Sequence, residues 1–137
     1  MYPGDDPVTV DTPAGCIGLS ICYDVRFPEL YRRLVDLGAT MFTVPAAFTQ
    51  PTGEAHWMTL LRARAIENLA YVIAPGQYGE HPDNRATFGH SSIIDPWGRV
   101  LATEPGTNCF VAADIDPELP GRLRSEFPAL SNRRLND

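Results

Sequence analysis

The stretch GLSICYDVRFPE, residues 18–29, decides how this chain folds. An apolar run from Ile17 to Ile21 predicts a short buried strand. The run stops at Cys22, and Pro28 then begins an amphipathic segment that predicts a helix. A strand that ends at a nucleophilic side chain just before a helix is typical of an elbow, which lifts that side chain out of the sheet.

Two interpretations of Cys22 follow from this stretch alone. In an elbow, backbone N–H groups and the positive end of the coming helix face the sulfur, and both favour a reactive thiolate. A free cysteine is, however, more often a buried structural residue. Cys16 lies on the same predicted strand, about 20 Å away along an extended backbone, so a disulfide between the two is excluded. Cys109 lies in a later apolar run, so only Cys22 stands at a strand end.

Hydrophobic periodicity over the whole chain predicts an α/β fold. Helices are expected at 28–37 and 54–69, where apolar residues recur at helical spacing. Strands are expected at 8–22 (as a hairpin), 39–45, 70–75, 90–95, 99–103 and 109–115. Residues 76–87 are polar and glycine-containing and predict an exposed loop, and a tail from about 128 is expected to be extended.

Two further details concern the second strand and the second helix. The strand at 39–45 ends at Pro45, and ligands meet the carboxyl ends of parallel strands, so Ala47 and Phe48 are expected beside Cys22. Core packing is an equal alternative for Phe48. On the helix, Arg64 is expected off the main apolar stripe.

The bulk numbers exclude several classes of protein. The chain has 137 residues, enough for one domain, and its net charge of −6 argues against nucleic acid or an anionic membrane as a partner. No apolar run approaches the ~20 residues of a membrane helix, and no signal peptide is visible. Three cysteines, an odd number, favour a reducing, cytoplasmic setting. No metal or nucleotide motif is present, so no cofactor is expected.

The motif around Cys22 is one of several that occur together. ICYDVRFPE (21–29) is followed in order by PAAFT (45–49), GEAHW (53–57), LLRARAIEN (60–68), GHS (89–91) and DPWG (95–98). This series resembles the nitrilase (carbon–nitrogen hydrolase) superfamily over nearly the whole chain. It is most similar to the deaminated-glutathione amidase branch, with the omega-amidases next. The resemblance implies an α-β-β-α sandwich.

The resemblance also implies a reaction, the hydrolysis of a small carboxylate-bearing amide to an acid and ammonia. It assigns the nucleophile to Cys22, which forms a thioester, and an oxyanion-stabilising backbone N–H to Tyr23. Arg26 becomes a candidate for binding the substrate carboxylate, with an ion pair to Asp24 or Glu29 as the alternative.

The resemblance is incomplete in one respect. The superfamily also uses a Glu as general base and a Lys, both upstream of the cysteine, but this chain contains no lysine and only residues 1–21, without a Glu, precede Cys22. We therefore expect residues 1–137 to be the C-terminal half of a carbon–nitrogen hydrolase domain. Such a half is expected to leave an apolar sheet face uncovered, and to pair with a missing N-terminal half or to form a homo-oligomer.

The missing Glu and Lys also affect the activity that we expect from this chain. Little amidase activity is expected from the chain alone, and Met58 stands where family members commonly carry a Glu. The alternative hypothesis is a non-catalytic remnant or scaffold that pairs with an intact homologue.

Overall fold

The fold is α/β, as predicted, and its centre is a six-stranded mixed sheet. The computed structural model describes residues 4–106 and 110–135. The strands are β1 (Thr9–Thr12), β2 (Gly15–Leu19), β3 (Met41–Thr43), β4 (Tyr71–Ala74), β5 (Tyr78–His81), β6 (Arg85–Phe88), β7 (Ser91–Ile94) and β8 (Val100–Glu104). The sheet has the order β1-β2-β3-β4-β7-β8, and β5 and β6 form a separate hairpin.

The helices account for most of the remaining regular structure. They are α1 (Pro28–Asp36), α2 (Gln50–Thr52), α3 (Met58–Asn68) and α4 (Leu119–Glu126). Short 3-10 segments occupy Cys22–Arg26 and Pro82–Asn84. Within residues 4–106 and 110–135, no helix has the length and apolar character needed to cross a membrane.

The middle of the sheet is parallel, and this brings three strand ends to one edge. Gly18 pairs with Phe42, which pairs with Val72, so β2, β3 and β4 run side by side in the same direction. At their carboxyl ends the N–H of Cys22 donates to the carbonyl of Pro45 at 2.8 Å. This hydrogen bond places Cys22 beside Pro45, directly before the segment that contains Ala47 and Phe48. The placement of these two residues beside Cys22 stays a prediction.

Helices α1 and α3 cover one face of the sheet. Leu34 from α1 and Leu61 from α3 share a buried cluster with Phe42, Val72 and Ile94 from the strands. Each large side chain buried in this way contributes about 1.5–3 kcal/mol to folding. This layer is the core, and it holds the sheet edge that carries Cys22.

The other face of the sheet is only partly covered. Leu19 is 41% exposed and Val10 is 45% exposed. Phe110 and Val111 form a groove there with strand residues that include Ile73. Apolar surface of this kind marks a place where another segment or chain packs.

The prediction of a strand at 109–115 is wrong for residues 110–115, which form no strand in the structure. Residue 109 lies outside the described residues. A short apolar run is consistent with a strand, but a strand also needs a neighbour to pair with. Here the segment instead leads to Asp116, whose N–H donates to the hydroxyl of Tyr71 at 3.1 Å.

The helix expected at 54–69 begins earlier and is not uniform. It starts with α2 at Gln50, passes through one π-helical turn, Gly53–Trp57, and continues as α3 to Asn68. A Cβ on Gly53 would lie 2.2 Å from Cβ of Phe88, so the π turn brings the backbone against the β5–β6 hairpin. Such turns are frequent at functional sites.

Two regions without predicted regular structure are ordered differently. Residues 76–87, expected to be a loop, form most of the β5–β6 hairpin, in which Tyr78 pairs with Phe88. The tail is not extended: the hydroxyl of Ser131 donates to the carbonyl of Pro128 in a turn, and Arg133 forms an ion pair with Asp36 of α1. The hairpin and the turn are local, but the ion pair of Arg133 with Asp36 joins residues that are 97 positions apart, and such a contact has no local signal in the sequence.

Helix α4 fastens the opposite edge of the parallel strands. Nη2 of Arg124 donates to the carbonyls of Ala39 at 2.9 Å and Asn68 at 3.0 Å, which lie just before β3 and β4. Nε of Arg124 is buried and has no hydrogen-bond partner among the described residues. Burial also lowers the pKa of the Arg124 guanidinium from its usual value. This arginine therefore serves the fold.

Candidate active site

Cys22 stands in an elbow, but the buried strand predicted over residues 17–21 is wrong in its end and its burial, because Leu19 is 41% exposed and Ile21 is 64% exposed. Strand β2 ends at Leu19, and Cys22 begins the 3-10 turn with a φ of +50°, a conformation that few residues other than glycine adopt. The carboxylate of Asp24 accepts a hydrogen bond from the N–H of Ile21 at 2.9 Å, which links the two ends of the turn around Cys22. The half-buried cysteine lies against the core cluster. Strained backbone of this kind persists only where the surrounding structure holds it.

Tyr23 follows in the first turn of the 3-10 segment. The first amides of a helical segment have no carbonyl partner within it, and the Tyr23 N–H is one of these amides. The Tyr23 ring is 63% exposed and packs edge-on against Phe27, with ring centroids 5.7 Å apart. The oxyanion role of the Tyr23 backbone N–H stays a prediction, and the side chain lies on the surface.

Arg26 ends the same turn and lies between two aromatic rings. Its guanidinium carbon is 5.3 Å from the ring centroid of Tyr23 and 5.2 Å from that of Phe48. Its Nη1 and Nη2 atoms are 3.4 and 3.5 Å from Nδ1 of His56, which lies in the π turn. The alternative ion pairs of Arg26 with Asp24 or Glu29 do not occur among the described residues.

Phe48 and Ala47 lie at different depths. Phe48 is 8% exposed, and its ring packs on that of Trp57 with centroids 4.8 Å apart, so Phe48 is a core residue. The guanidinium of Arg26 also contacts its ring. Ala47 is exposed and lines a cleft of about 330 Å³ between the segment after β3 and the β5–β6 hairpin. Polar side chains from the hairpin, His81 and Arg85 among them, line the same cleft.

The sequence interpretation missed one residue beneath the elbow. Arg64 is 5% exposed, and its Nε donates to the carbonyl of Val25 at 2.9 Å. It lies seven positions after the buried Trp57, which is two helical turns, so the pattern did contain the signal. Met58, in contrast, is half-buried and packs against the core cluster.

The second cysteine of β2 has a different environment. Burial, the largest cause, raises the pKa of the Cys16 thiol above its ordinary value, and the nearby Asp11 carboxylate acts in the same direction. Cys16 and Cys22 are both free thiols. A thiol whose ionisation is suppressed is a poor nucleophile at neutral pH.

These features invite comparison with known proteins. The carbon–nitrogen hydrolase family profile matches residues 1–124 of the 137. The chain belongs to the carbon–nitrogen hydrolase family. Deaminated glutathione amidase from Dictyostelium discoideum is 50% identical over 135 residues, which are 98% of this chain and 46% of that protein. Deaminated glutathione amidase from a Synechocystis strain is 52% identical over 132 residues, 96% of this chain and 47% of that protein.

Solved structures of the nitrilase superfamily share the fold. Nit3 from Saccharomyces cerevisiae, a member of branch 10 of the superfamily, superposes with a TM-score of 0.89 at 35% identity, over 98% of this chain and 50% of that one. A mutant of the amidase from Nesterenkonia sp. AN1 superposes with a TM-score of 0.80 at 26% identity, over 97% of this chain and 47% of that one. That structure shows the acetamide moiety of fluoroacetamide added covalently at the active-site cysteine.

This carbon–nitrogen hydrolase chain spans about half the length of the curated relatives that it matches. The described part of the site comprises the elbow with Cys22 and Tyr23, and Arg26 on the rings beside it.

Proposed function

We propose that this chain carries the nucleophile of an amidase that hydrolyses a small carboxylate-bearing amide, similar to deaminated glutathione. The observation that carries the proposal is the strained elbow at Cys22, with φ of +50°, at the carboxyl edge of three parallel strands. The 50% identity to deaminated glutathione amidases supports the substrate class. Arg26, stacked between two rings, is the proposed partner of the substrate carboxylate.

The proposed reaction has two halves. The Cys22 sulfur attacks the amide carbon, and the resulting oxyanion accepts a hydrogen bond from the Tyr23 N–H. The C–N bond then breaks, the nitrogen takes up a proton, and ammonia leaves a thioester on Cys22. Water attacks the thioester carbon, the C–S bond breaks, the acid is released and the thiol regains its proton.

Proton transfer in this scheme needs groups beyond those found near Cys22. The family resemblance assigns the general base to a Glu and the charge-holding residue to a Lys, and this chain has no lysine. We propose that an N-terminal half supplies both and packs on the uncovered sheet face, where Leu19 and Val10 are exposed. Assembly with a second copy is the other way to cover this face. A reducing, cytoplasmic setting is proposed because Cys22 must remain a free thiol.

Complementation tests this proposal. The purified chain is incubated with deaminated glutathione, alone and together with the first half of the Dictyostelium relative, and ammonia release is measured. We expect turnover only in the mixture, a thioester mass on the Cys22 peptide, and loss of both in Cys22→Ala. Turnover that survives Cys22→Ala, or a mixture that binds but releases no ammonia, would contradict the amidase proposal. Cys22-dependent turnover by the chain alone would contradict the need for a second half.

The second candidate is a non-catalytic scaffold that pairs with an intact homologue. The exposed sheet face with Leu19 and Val10 favours it, because such a face can pack on another protein without any reaction at Cys22. Size-exclusion chromatography with the intact Dictyostelium relative distinguishes the two. A scaffold binds that relative equally well as wild type and as Cys22→Ala, and adds no ammonia release to it.

A further inference from the structure

A buried arginine reaches from the core to the elbow. Arg64 lies in the middle of α3, and its Nε donates to the carbonyl of Val25, which belongs to the Cys22–Arg26 turn. Its Nη1 is 2.7 Å from Oε1 of Glu67. A buried guanidinium is costly unless it is paired and hydrogen-bonded, so these bonds determine where the arginine lies.

The other side of Cys22 is tied to the same group of residues. The hydroxyl of Ser20 donates to the carbonyl of Thr43 at 2.8 Å. Because Ser20 has one hydroxyl hydrogen, the 2.7 Å contact between its Oγ and Tyr31 must use the Tyr31 hydroxyl as donor. The ring of Tyr31 lies 5.4 Å from the Arg64 guanidinium carbon. The chain is therefore anchored two residues before Cys22 and three residues after it.

Anchors on both sides have a physical purpose at this position. Cys22 has a positive φ, which a non-glycine residue leaves when it is free to do so. A single 3-10 turn is short and has weak hydrogen-bond geometry, so it does not hold such strain by itself. A charged donor on the Val25 carbonyl adds a bond of the strong class to this turn.

We propose that Arg64 is a positioning residue for Cys22: it holds the Val25 carbonyl and thereby keeps the elbow in the conformation that presents the thiol and the Tyr23 N–H to the substrate. The inference rests on the proposed function in one respect only, that Cys22 is the nucleophile. Arg64 touches no reacting atom and acts through the backbone of the turn.

Hydrogen exchange measures this role directly. Within the elbow, the N–H of Asp24 donates to Ile21 and the N–H of Phe27 donates to Asp24, both at 3.0 Å. In Arg64→Met we expect both amides to exchange about tenfold faster than in wild type, because the turn opens locally when its anchor is lost. The amides of α1 are expected to keep their rates.

A matched control lies on the same helix. Nε of Arg62 also donates to a carbonyl, that of Gly98, at 2.9 Å, far from the elbow. Arg62→Met must leave the exchange of Asp24 and Phe27 unchanged. If Arg64→Met does not fold, Arg64→Lys keeps a charge beside Glu67 but has no Nε donor, and it must show the same local acceleration. Wild-type exchange at both amides in the folded variants overturns the proposal.

The chemical readout compares two reagents that add the same group. Fluoroacetamide and iodoacetamide both form a bond between Cys22 sulfur and the acetamide CH2 carbon, with loss of fluoride or iodide and of the thiol proton. Fluoride is a poor leaving group, so its reaction depends on orientation by the site, whereas iodoacetamide reacts with any accessible thiolate. We expect Arg64→Met to slow the fluoroacetamide reaction about tenfold or more and to change the iodoacetamide reaction little.

The two readouts separate the proposals. If wild-type Cys22 fails to react with fluoroacetamide even with an N-terminal half supplied, the proposed function is contradicted, and hydrogen exchange still decides whether Arg64 holds the elbow. Equal slowing of both reagents indicates a merely structural effect and overturns the positioning role.

Discussion

The two edges of the parallel strands each carry an arginine, and the two arginines have opposite uses. At one edge, Arg124 donates to two backbone carbonyls that precede β3 and β4. At the other, the guanidinium carbon of Arg26 lies over the rings of Tyr23 and Phe48, and its nitrogens make only long contacts to His56. The Arg124 donors are used by the backbone and hold the fold, whereas Arg26 has no hydrogen bond to a carbonyl or carboxylate among the described residues. The difference supports the proposal that the edge with Arg26 is the functional one.

The largest expected effect concerns the structural edge. Arg124→Met removes the donor from both carbonyls while keeping a chain of similar length, and we expect the free energy of unfolding to fall by about 2 kcal/mol. Urea unfolding followed by circular dichroism measures it. The control is Arg122→Met, whose exposed ion pair with Asp116 should leave the midpoint unchanged. Equal midpoints for both variants would remove the contrast between the edges.

The opposite result is expected at the functional edge. Arg26→Met should change stability by less than about 0.5 kcal/mol but weaken binding of a carboxylate-bearing amide about tenfold, since only the ligand loses a charged partner. Calorimetry with glutaramate, in a Cys22→Ala background that prevents turnover, gives the affinity. Valeramide, which lacks the carboxylate, is the control ligand. An equal loss of affinity for both ligands would show that Arg26 does not recognise the carboxylate.

The next prediction concerns Tyr31, in the buried layer between α1 and the sheet, and the dependence of stability on pH. Burial raises the pKa of Tyr31 to about 12, whereas in the unfolded chain a tyrosine ionises near ~10. The folded state therefore retains a proton that the unfolded state releases, and stability falls as the pH rises from about 10 towards 12.

Tyr31→Phe isolates this contribution. The variant should lose about 1 kcal/mol at pH 7, because the bond to Ser20 disappears, and its stability should decline less than that of wild type at alkaline pH. Urea unfolding at pH 8 and pH 11 provides the comparison. Parallel declines in the two proteins would exclude Tyr31 as the cause.

The smallest expected effect concerns the strain at the elbow. Cys22→Gly should be more stable than Cys22→Ala by about 0.5–1 kcal/mol, because glycine adopts a φ of +50° without a Cβ penalty. The same pair of substitutions at Cys16, in regular strand β2, should show the reverse order. Thermal unfolding of the four variants is sufficient, and identical orders at both cysteines would mean that the elbow is unstrained.

Local sequence information was sufficient for the fold class, the family and the place of Cys22. Each of these depends on neighbouring residues: apolar periodicity, an apolar run that is followed by a cysteine, and a proline that begins α1. The strand itself ends at Leu19, earlier than predicted. Helix α1 was predicted to end at residue 37 and ends at Asp36, since helix start and stop signals lie in adjacent residues.

The three-dimensional packing was needed to show which polar residues serve the fold and which remain for a ligand. Arg64 and Arg26 are both arginines in the motifs that resemble the family, yet one is buried under the elbow and the other lies between rings at its rim. The β5–β6 hairpin and the course of residues 110–115 were equally inaccessible to the sequence. The helical spacing from Trp57 indicated that Arg64 is buried, but its hydrogen bond to the Val25 carbonyl joins residues far apart in the chain, and no local pattern encodes such a partner.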